Sequence, residues 1–227
     1  MITVAVAQPR CTAHDVAANA AAHAEAVRAA AARVVVFPEL SLTGYHLDAP
    51  EVSFDLLAPL VEACAETGAT ALAGAPVAQR HIGVLEVTGS GVRVAYRKVW
   101  LGPLEAVCFD PGPGPAAIEV DGVRLGLAVC RDTGVPRHAA DTAALGVHAY
   151  LAGVLEHDVD ADVVAARARR IAVGHGLWVA VASFAGSTGE GFSRAAGGSG
   201  IWDPSGEQVA AAGTAVGAVV SAVLDRR

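Results

Sequence analysis

Three residues that can take part in acid–base or nucleophilic chemistry each follow an apolar segment of this chain. Glu39 comes directly after residues 34–38, and Cys130 ends the apolar run 125–129 before a polar turn. Because α/β proteins place reactive groups at the carboxyl ends of buried strands, these positions suit a catalytic carboxylate and an exposed thiol nucleophile. Lys98 adds a cation near the end of a third apolar segment. Taken singly, each has a simpler interpretation, as a solvated glutamate, a buried structural cysteine or a lysine that extends to solvent.

The other cysteines have weaker claims to reactivity. The chain has four cysteines without a CxxC pair, and a chain of this length does not need disulfides to fold. Cys11 has no matching motif around it, and Cys64 falls on a predicted helix. Cys108 lies in the same predicted loop as Glu105, so it is the one serious rival to Cys130.

Composition and charge exclude several functional classes. The net charge is −7 and no basic face is evident, so we expect no nucleic-acid partner. Apolar residues make up 53% of the chain, but no run approaches the ~20 residues that span a bilayer. The first residues lack the basic start of a secretory signal, which predicts a cytoplasmic protein. The eight histidines show no paired ligand spacing, so we expect no metal site; we expect His46 at the surface, although it could line a pocket.

Helix and strand patterns alternate in the first part of the chain, and hairpin patterns follow in the middle. The predicted helices cover residues 15–32, 54–67, 136–145 and 161–175. The predicted strands lie near residues 4–8, 33–37, 69–75, 84–88, 92–99, 118–120, 123–129, 148–152 and 178–182. One long loop is predicted over residues 100–115, and a second, glycine-rich loop is predicted from the end of the strand at residue 182 to residue 200. No linker or break in composition interrupts this order, which predicts one mixed, layered α/β domain over residues 1–227.

The reactive residues, in this order and context, resemble a known pattern. Phe37-Pro38-Glu39, then Lys98, then the strand-ending Cys130 are similar to the pattern of the nitrilase-like carbon–nitrogen hydrolase superfamily. Residues 102–112 resemble the loop that follows the lysine in that family, and residues 198–206 resemble its late glycine-rich Asp-Pro segment. The resemblance implies an α/β fold, a four-layer αββα sandwich, that assembles as a homodimer or a larger homo-oligomer.

The resemblance also implies roles for these residues. Glu39 would be the general base and Cys130 the nucleophile, whereas Lys98 and the backbone N–H of Arg131 would stabilise the oxyanion. Glu105 would support the site by positioning Lys98 or the substrate amide. The implied reaction converts a small linear amide to its acid and ammonia through a thioester. It requires no cofactor and no metal.

Some features depart from the family pattern and keep alternatives open. Residues 131–136 lack the aromatic and the Phe-Pro-Glu stretch of many relatives, and Gly174 and His175 stand near the places of a Glu-Asn pair. The departures at Gly174 and His175 keep a catalytically silent binding protein as an alternative. Nitrile hydrolysis, N-carbamoyl hydrolysis and acyl transfer also remain alternatives, because they differ in pocket shape and in the nucleophile that meets the thioester, which one sequence does not reveal. Trp178 and the loop 184–195 are candidates for substrate contact, with Arg131.

Overall fold

Two six-stranded sheets form the centre of the computed structural model, which describes residues 1–225. The first sheet has the strand order β14-β1-β2-β3-β4-β5 and the second has the order β13-β12-β9-β8-β7-β6. The strands of the first sheet are β1 (Ile2–Ala7), β2 (Val34–Val36), β3 (Thr70–Val77), β4 (His81–Thr88), β5 (Gly91–Arg97) and β14 (Val219–Leu224). Those of the second sheet are β6 (Ala116–Val120), β7 (Val123–Val129), β8 (Ala149–Val154), β9 (Trp178–Ser183), β12 (Gly200–Trp202) and β13 (Gln208–Ala211). A separate two-stranded ribbon joins β10 (Ala185–Gly186) to β11 (Ala195–Ala196).

Helices cover the outer face of each sheet and complete four layers. The helices are α1 (Val16–Ala30), α2 (Ala58–Thr67), α3 (Glu105–Cys108), α4 (Pro136–Ala143) and α5 (Ala161–His175). Helices α1 and α2 share one apolar cluster with the first sheet, and α4 and α5 share another with the second. A third cluster lies between the two sheets. The predicted αββα sandwich is therefore confirmed.

Local sequence explains the main elements. Asp15 caps α1 by accepting a hydrogen bond from the Ala18 N–H at 2.9 Å, as is typical of an N-cap aspartate. Along β2, Val34 and Val36 point into the layer between the sheets, whereas Val35 points toward the helices. Strands buried on both faces read as continuous apolar runs, which is why this segment shows no polar alternation.

The parallel strands of both sheets bring their carboxyl ends to one region. In the first sheet β2 is parallel to its neighbours β1 and β3, and in the second β8 is parallel to β7 and β9. Glu39 follows β2, and Cys130 follows β7. Strand β2 packs against β8 and β9 across the sandwich, so residues after β2 and β7 can meet between the sheets.

The structure differs from the sequence-based elements at several ends. The helix predicted over residues 54–67 begins as a 3-10 turn, Phe54–Leu57, and becomes α-helical only at Ala58, one residue before Pro59. Proline suits the first helical turn but not a helix interior, which explains this boundary. The predicted loop 100–115 contains the short helix α3. No helix within residues 1–225 is long and apolar enough to cross a membrane.

Candidate active site

Lys98 joins two carboxylates in the space between the sheets. Its Nζ donates to Glu39 Oε1 at 2.6 Å and to Glu105 Oε1 and Oε2 at 2.7 and 2.8 Å. All three side chains are buried. Buried charges are stable only when they are paired and hydrogen-bonded, and here one cation serves two anions. Three of the sequence-predicted site residues thus form one contact group.

The segment that carries Glu39 is held tightly by two glycines on neighbouring strands. A Cβ added at Gly74 of β3 would lie 2.4 Å from the Leu40 nitrogen, and one added at Gly153 of β8 would lie 2.5 Å from the Phe37 oxygen. Leu40 itself has a φ of 50°, a conformation that costs a residue other than glycine about 1–3 kcal/mol. Close backbone approach from both sheets therefore fixes where Glu39 can lie.

Cys130 lies at the sharp transition from β7 into a 3-10 turn, Cys130–Gly134. Its φ is 43°, so the residue that carries the thiol has a left-handed backbone. The Sγ atom lies 3.4 Å from the Leu155 carbonyl oxygen, just beyond the end of β8. The residue as a whole is partly exposed, unlike Glu39 and Lys98. A thiol at a sharp strand-to-turn transition beside a carboxylate and an ammonium is a suitable position for a nucleophile.

The environment of Glu39 favours its protonated form. Burial raises the pKa of this carboxyl to about 7, because the attraction of Lys98 offsets only part of the desolvation and Glu105 adds repulsion. The neighbouring Cys130 thiol acts in the opposite direction and lowers this pKa. Glu39 Oε2 is buried and accepts no hydrogen bond of standard geometry from the described residues. That oxygen is free to take a proton.

Cys130 raises the pKa of Lys98, whereas Lys98 lowers the pKa of Cys130. Burial alone would lower the pKa of the Lys98 ammonium, but Glu39, Cys130 and Glu105 together raise it above its ordinary value. Desolvation and Glu39 raise the pKa of the Cys130 thiol well above its ordinary value, whereas Lys98 lowers it. The resting thiol is therefore protonated and needs a base to become a nucleophile.

Glu105 is the ionised partner of Lys98. It begins α3 and also accepts hydrogen bonds from the Gly102 N–H at 2.6 Å and the Tyr45 hydroxyl at 2.8 Å. Burial would raise the pKa of Glu105, but Lys98 and these donors lower it overall. The family resemblance implies that Glu105 positions either Lys98 or the substrate amide, and its contacts correspond to the positioning of Lys98.

Tyr45 belongs to the site although no sequence motif points to it. Besides its contact with Glu105, its ring packs edge-on against Phe192, with the centroids 5.4 Å apart. Phe192 in turn stacks on His157 at 4.0 Å. The Tyr45 N–H donates to Thr188 Oγ1 at 2.8 Å, so the loop between β10 and β11 is fixed beside Tyr45. This part of the predicted loop 184–195 does lie at the site.

Other sequence candidates fall in different places. The side chain of Arg131 is exposed, but its N–H belongs to the first turn of the 3-10 segment, where N–H groups have no partner within the helix. Trp178 begins β9, a strand length away from the edge that carries Cys130, and is not near the site. Gly174 and His175 are exposed near the end of α5, so the departure from the family pattern lies on the outer surface.

The remaining cysteines and histidines lie outside the contact group. Burial raises the pKa of Cys11 to about 12 and that of Cys64 to about 11, and the groups that act on these two thiols, Asn19 and the Ala71 backbone, include no base such as Glu39. Cys108 is partly exposed at the end of α3, three residues after Glu105. Within residues 1–225, one group of possible metal ligands lies within 4.8 Å, formed by His14, His46 and Asp48. The side chains of His14 and Asp48 are 45% and 82% exposed, so this set lies at the surface.

Comparisons with known proteins agree with this architecture. A family model described as carbon-nitrogen hydrolase matches residues 3–227. A protein of Pseudomonas protegens named "Hydrolase in pqqF 5'region" is 32% identical over 231 residues, which cover 94% of this chain and 79% of that protein.

Solved structures with the same fold are more distant in sequence. A variant of the amidase from Nesterenkonia sp. AN1 has a TM-score of 0.89 at 23% identity, covering 99% of this chain and 94% of that chain. Nit3 of Saccharomyces cerevisiae, a member of branch 10 of the nitrilase superfamily, has a TM-score of 0.86 at 23% identity, covering 99% and 90% of the two chains. With the family model matching nearly every residue, the chain belongs to the carbon–nitrogen hydrolase family.

Proposed function

We propose that this carbon–nitrogen hydrolase is an amidase that converts a small linear amide to its acid and ammonia, with Cys130 as nucleophile. The observation that carries the proposal is the contact of Lys98 Nζ with both Glu39 and Glu105 beside the Cys130 thiol. A base, a cation and a thiol are the groups that cysteine-dependent acyl transfer needs.

Acylation begins with the free oxygen of Glu39. Glu39 Oε2 would take the Sγ proton as the sulfur attacks the amide carbon, which forms a tetrahedral oxyanion. Lys98 Nζ and the backbone N–H of Arg131 would donate to this oxygen, and one such donor contributes about 3–4 kcal/mol in related chemistry. The C–N bond then breaks, the proton on Glu39 passes to the leaving nitrogen, and ammonia departs from a Cys130 thioester.

Deacylation uses the same groups in reverse order. Glu39 would take a proton from water as the water oxygen attacks the thioester carbon. The C–S bond then breaks, the acid leaves, and the proton on Glu39 returns to the Cys130 sulfur. A carboxyl with a pKa of about 7 can both accept and donate a proton near neutral pH, which supports this double role.

The choice of an amide substrate rests on the structural relatives. A variant of the Nesterenkonia amidase has been solved in complex with butyramide, and another carries the product of Michael addition of acrylamide at its active-site cysteine. By analogy, we expect short aliphatic amides to reach Cys130 of this chain. Nitrile hydrolysis, N-carbamoyl hydrolysis and acyl transfer would use the same nucleophile and differ in the substrate that fits.

The test is ammonia release from matched panels of small amides, nitriles and N-carbamoyl acids. The native protein should release ammonia from an amide, and Cys130→Ala should lose at least about a thousandfold of that rate. Cys108→Ala is the matched control and should keep the native rate. Faster turnover of a nitrile or an N-carbamoyl acid would replace the proposed substrate class. Absence of turnover on all panels would favour acyl transfer or a silent binding protein, and equal rates for native and Cys130→Ala would refute the assignment of the nucleophile.

A further inference from the structure

Asp132 is a fully buried carboxylate that the proposed reaction does not use. Its Oδ1 accepts the Trp100 N–H at 2.9 Å, and its Oδ2 accepts the Val129 N–H at 2.9 Å and the Tyr96 hydroxyl at 2.8 Å. The side chain has no exposed surface. Hydrogen bonds to a charged acceptor are roughly twice as strong as neutral ones, so three such donors hold this carboxylate in one position.

Two of these donors flank the residues of the proposed active site. Trp100 is two residues after Lys98, and Val129 directly precedes Cys130. Lys98 follows β5 of the first sheet, whereas Cys130 follows β7 of the second. One carboxylate therefore fastens the end of the lysine strand to the start of the cysteine turn, across the gap between the sheets.

The third donor connects Asp132 to a buried chain of hydrogen bonds. Tyr96 Oη lies 2.8 Å from His138 Nε2, and His138 Nδ1 lies 2.9 Å from Tyr150 Oη. Since Tyr96 gives its one proton to Asp132, His138 must donate from Nε2 and accept at Nδ1 from Tyr150. Every side-chain polar group in this row of hydrogen bonds then has a partner. The row runs from Tyr96 on β5 of the first sheet to Tyr150 on β8 of the second.

We propose that Asp132 is a positioning residue that sets the separation of the Lys98 ammonium and the Cys130 sulfur; this rests on the proposed amidase function. The left-handed backbone of Cys130, with a φ of 43°, persists only where surrounding contacts hold it, and the Val129 N–H bond lies directly before it. A shift of about 1 Å between reacting groups can cost a hundredfold in rate, so loss of this fastening should be visible in kinetics.

The variant Asp132→Asn keeps the shape of the side chain but replaces one acceptor oxygen by an NH₂ group. In one orientation of the amide the Trp100 N–H loses its acceptor, and in the other the Val129 N–H and the Tyr96 hydroxyl lose theirs. We expect kcat for ammonia release to fall at least about tenfold, with KM changed less than about threefold. Alkylation of Cys130 by iodoacetamide, followed by peptide mass spectrometry, should slow by a similar factor.

Tyr150→Phe is the matched control. It removes the hydrogen bond to His138 at the far end of the chain and leaves all three donors of Asp132 in place. We expect its melting temperature to fall while kcat and the alkylation rate stay within about twofold of native. If Asp132→Asn behaves like Tyr150→Phe, with lower melting temperature and native kinetics, Asp132 has only a structural role and the proposal is wrong.

A measurement on the native protein covers the case in which Asp132→Asn does not fold. Trp100 lies outside the strands and helices, and Asp132 provides the acceptor for its N–H. The chain has three tryptophans, so the backbone amide of Trp100 can be resolved in protein labelled with ¹⁵N-tryptophan. We expect slow hydrogen exchange at this amide, and exchange as fast as that of a free amide would overturn the proposal.

The two proposals fail in distinguishable ways. If the native protein releases no ammonia, the proposed function fails, but the alkylation rate of Cys130 and the exchange of the Trp100 amide still report whether Asp132 fixes the two segments. If ammonia is released and both of these readouts are insensitive to Asp132, only the positioning role fails.

Discussion

Glu39 and Glu105 share the ammonium of Lys98, yet their surroundings give them opposite properties. Glu105 accepts from Lys98, Tyr45 and Gly102, and these donors lower its pKa despite burial. Among the described residues, only Lys98 donates a hydrogen bond of standard geometry to Glu39, and burial raises the Glu39 pKa to about 7. Two carboxyls whose pKa values are pushed apart are typical of sites in which one is fixed as an anion and the other exchanges a proton. Glu39 is therefore the group expected to titrate during turnover.

The pH dependence of activity should report this titration. The base form of Glu39 is the anion, so kcat/KM should fall as the pH decreases through about 7, approaching tenfold per pH unit below that value. The measurement is kcat/KM between pH 5 and 8 with an uncharged amide, so that the substrate itself does not titrate. A profile that stays flat down to pH 5 would show that Glu39 is not the base.

At the residue scale, sequence could supply the reactive groups but not their supports. Glu39, Lys98, Cys130 and Glu105 stand in recognisable motifs, and the structure brings the first two and Glu105 into direct contact. Tyr45 has no comparable signal, because its role depends on contacts that arise only after β2 and α3 are placed. The catalytic assignments themselves stay predictions until the variants are measured.

At the element scale, the position of Glu39 depends on strands from both sheets. Gly153 of β8 lets the Phe37–Glu39 backbone pass so closely that an added Cβ would lie 2.5 Å from the Phe37 oxygen and 2.9 Å from the Glu39 nitrogen. Neither Gly153 nor Gly74 could be selected from sequence, since glycine occurs within strands for several structural reasons.

Gly153→Ala should therefore displace Glu39 or strain the sandwich. We expect a loss of about 1–3 kcal/mol of unfolding free energy from overpacking and at least about a tenfold fall in kcat. Chemical denaturation and ammonia release measure the two effects. Gly174→Ala on the exposed part of α5 is the control, because an added Cβ there lies more than 4 Å from other atoms of the described residues and alanine favours the helix. Native kcat in Gly153→Ala would contradict this account of the Glu39 segment.

Helix α1 is tied to the same segment through a buried histidine. His23 Nε2 lies 2.8 Å from Ser41 Oγ and Nδ1 lies 2.6 Å from the Asn19 carbonyl oxygen. Burial lowers the pKa of His23 to about 4. This role of His23 could not be predicted from sequence, because an alanine-rich helix with one histidine indicates no particular partner for that histidine.

The lowered pKa of His23 predicts that acid weakens the fold. The unfolded chain binds the proton near pH 6.5 and the folded chain only near pH 4, so this contribution is present above about pH 6.5 and is lost as the pH falls toward 4. Between pH 7 and 5 we expect a loss of about 2 kcal/mol of unfolding free energy from this group. Denaturation curves of native protein and His23→Gln at both pH values isolate it. An equal pH dependence in the two proteins would refute the assignment to His23.

At the scale of the whole molecule, the layers could be predicted but the strand pairing could not. Helix and strand periodicity, with the family resemblance, led to the αββα sandwich that the comparisons bear out. Sequence did not reveal that the consecutive strands β13 and β14 belong to different sheets, with β14 paired to β1 in the first sheet. Such long-range pairing depends on packing between layers rather than on local propensity.

Some whole-molecule predictions remain open to experiment. Assembly as a homodimer or larger homo-oligomer, the single domain over residues 1–227 and the cytoplasmic location stay predictions, and residues 226 and 227 lie outside the described part of the chain. The site itself draws on both sheets, with Glu39 and Lys98 from the first and Cys130 from the second. Activity should therefore require the intact sandwich.

The central claim, a thioester on Cys130, is tested most directly by trapping the acyl group with hydroxylamine. Native protein turning over a short amide should release ammonia and divert part of the acyl group from the acid to the hydroxamate, in proportion to the hydroxylamine present. Cys108→Ala should do the same, whereas Cys130→Ala should release no ammonia and form no hydroxamate. Ammonia release without hydroxamate, or hydroxamate formed equally by Cys130→Ala, would contradict a covalent intermediate on Cys130.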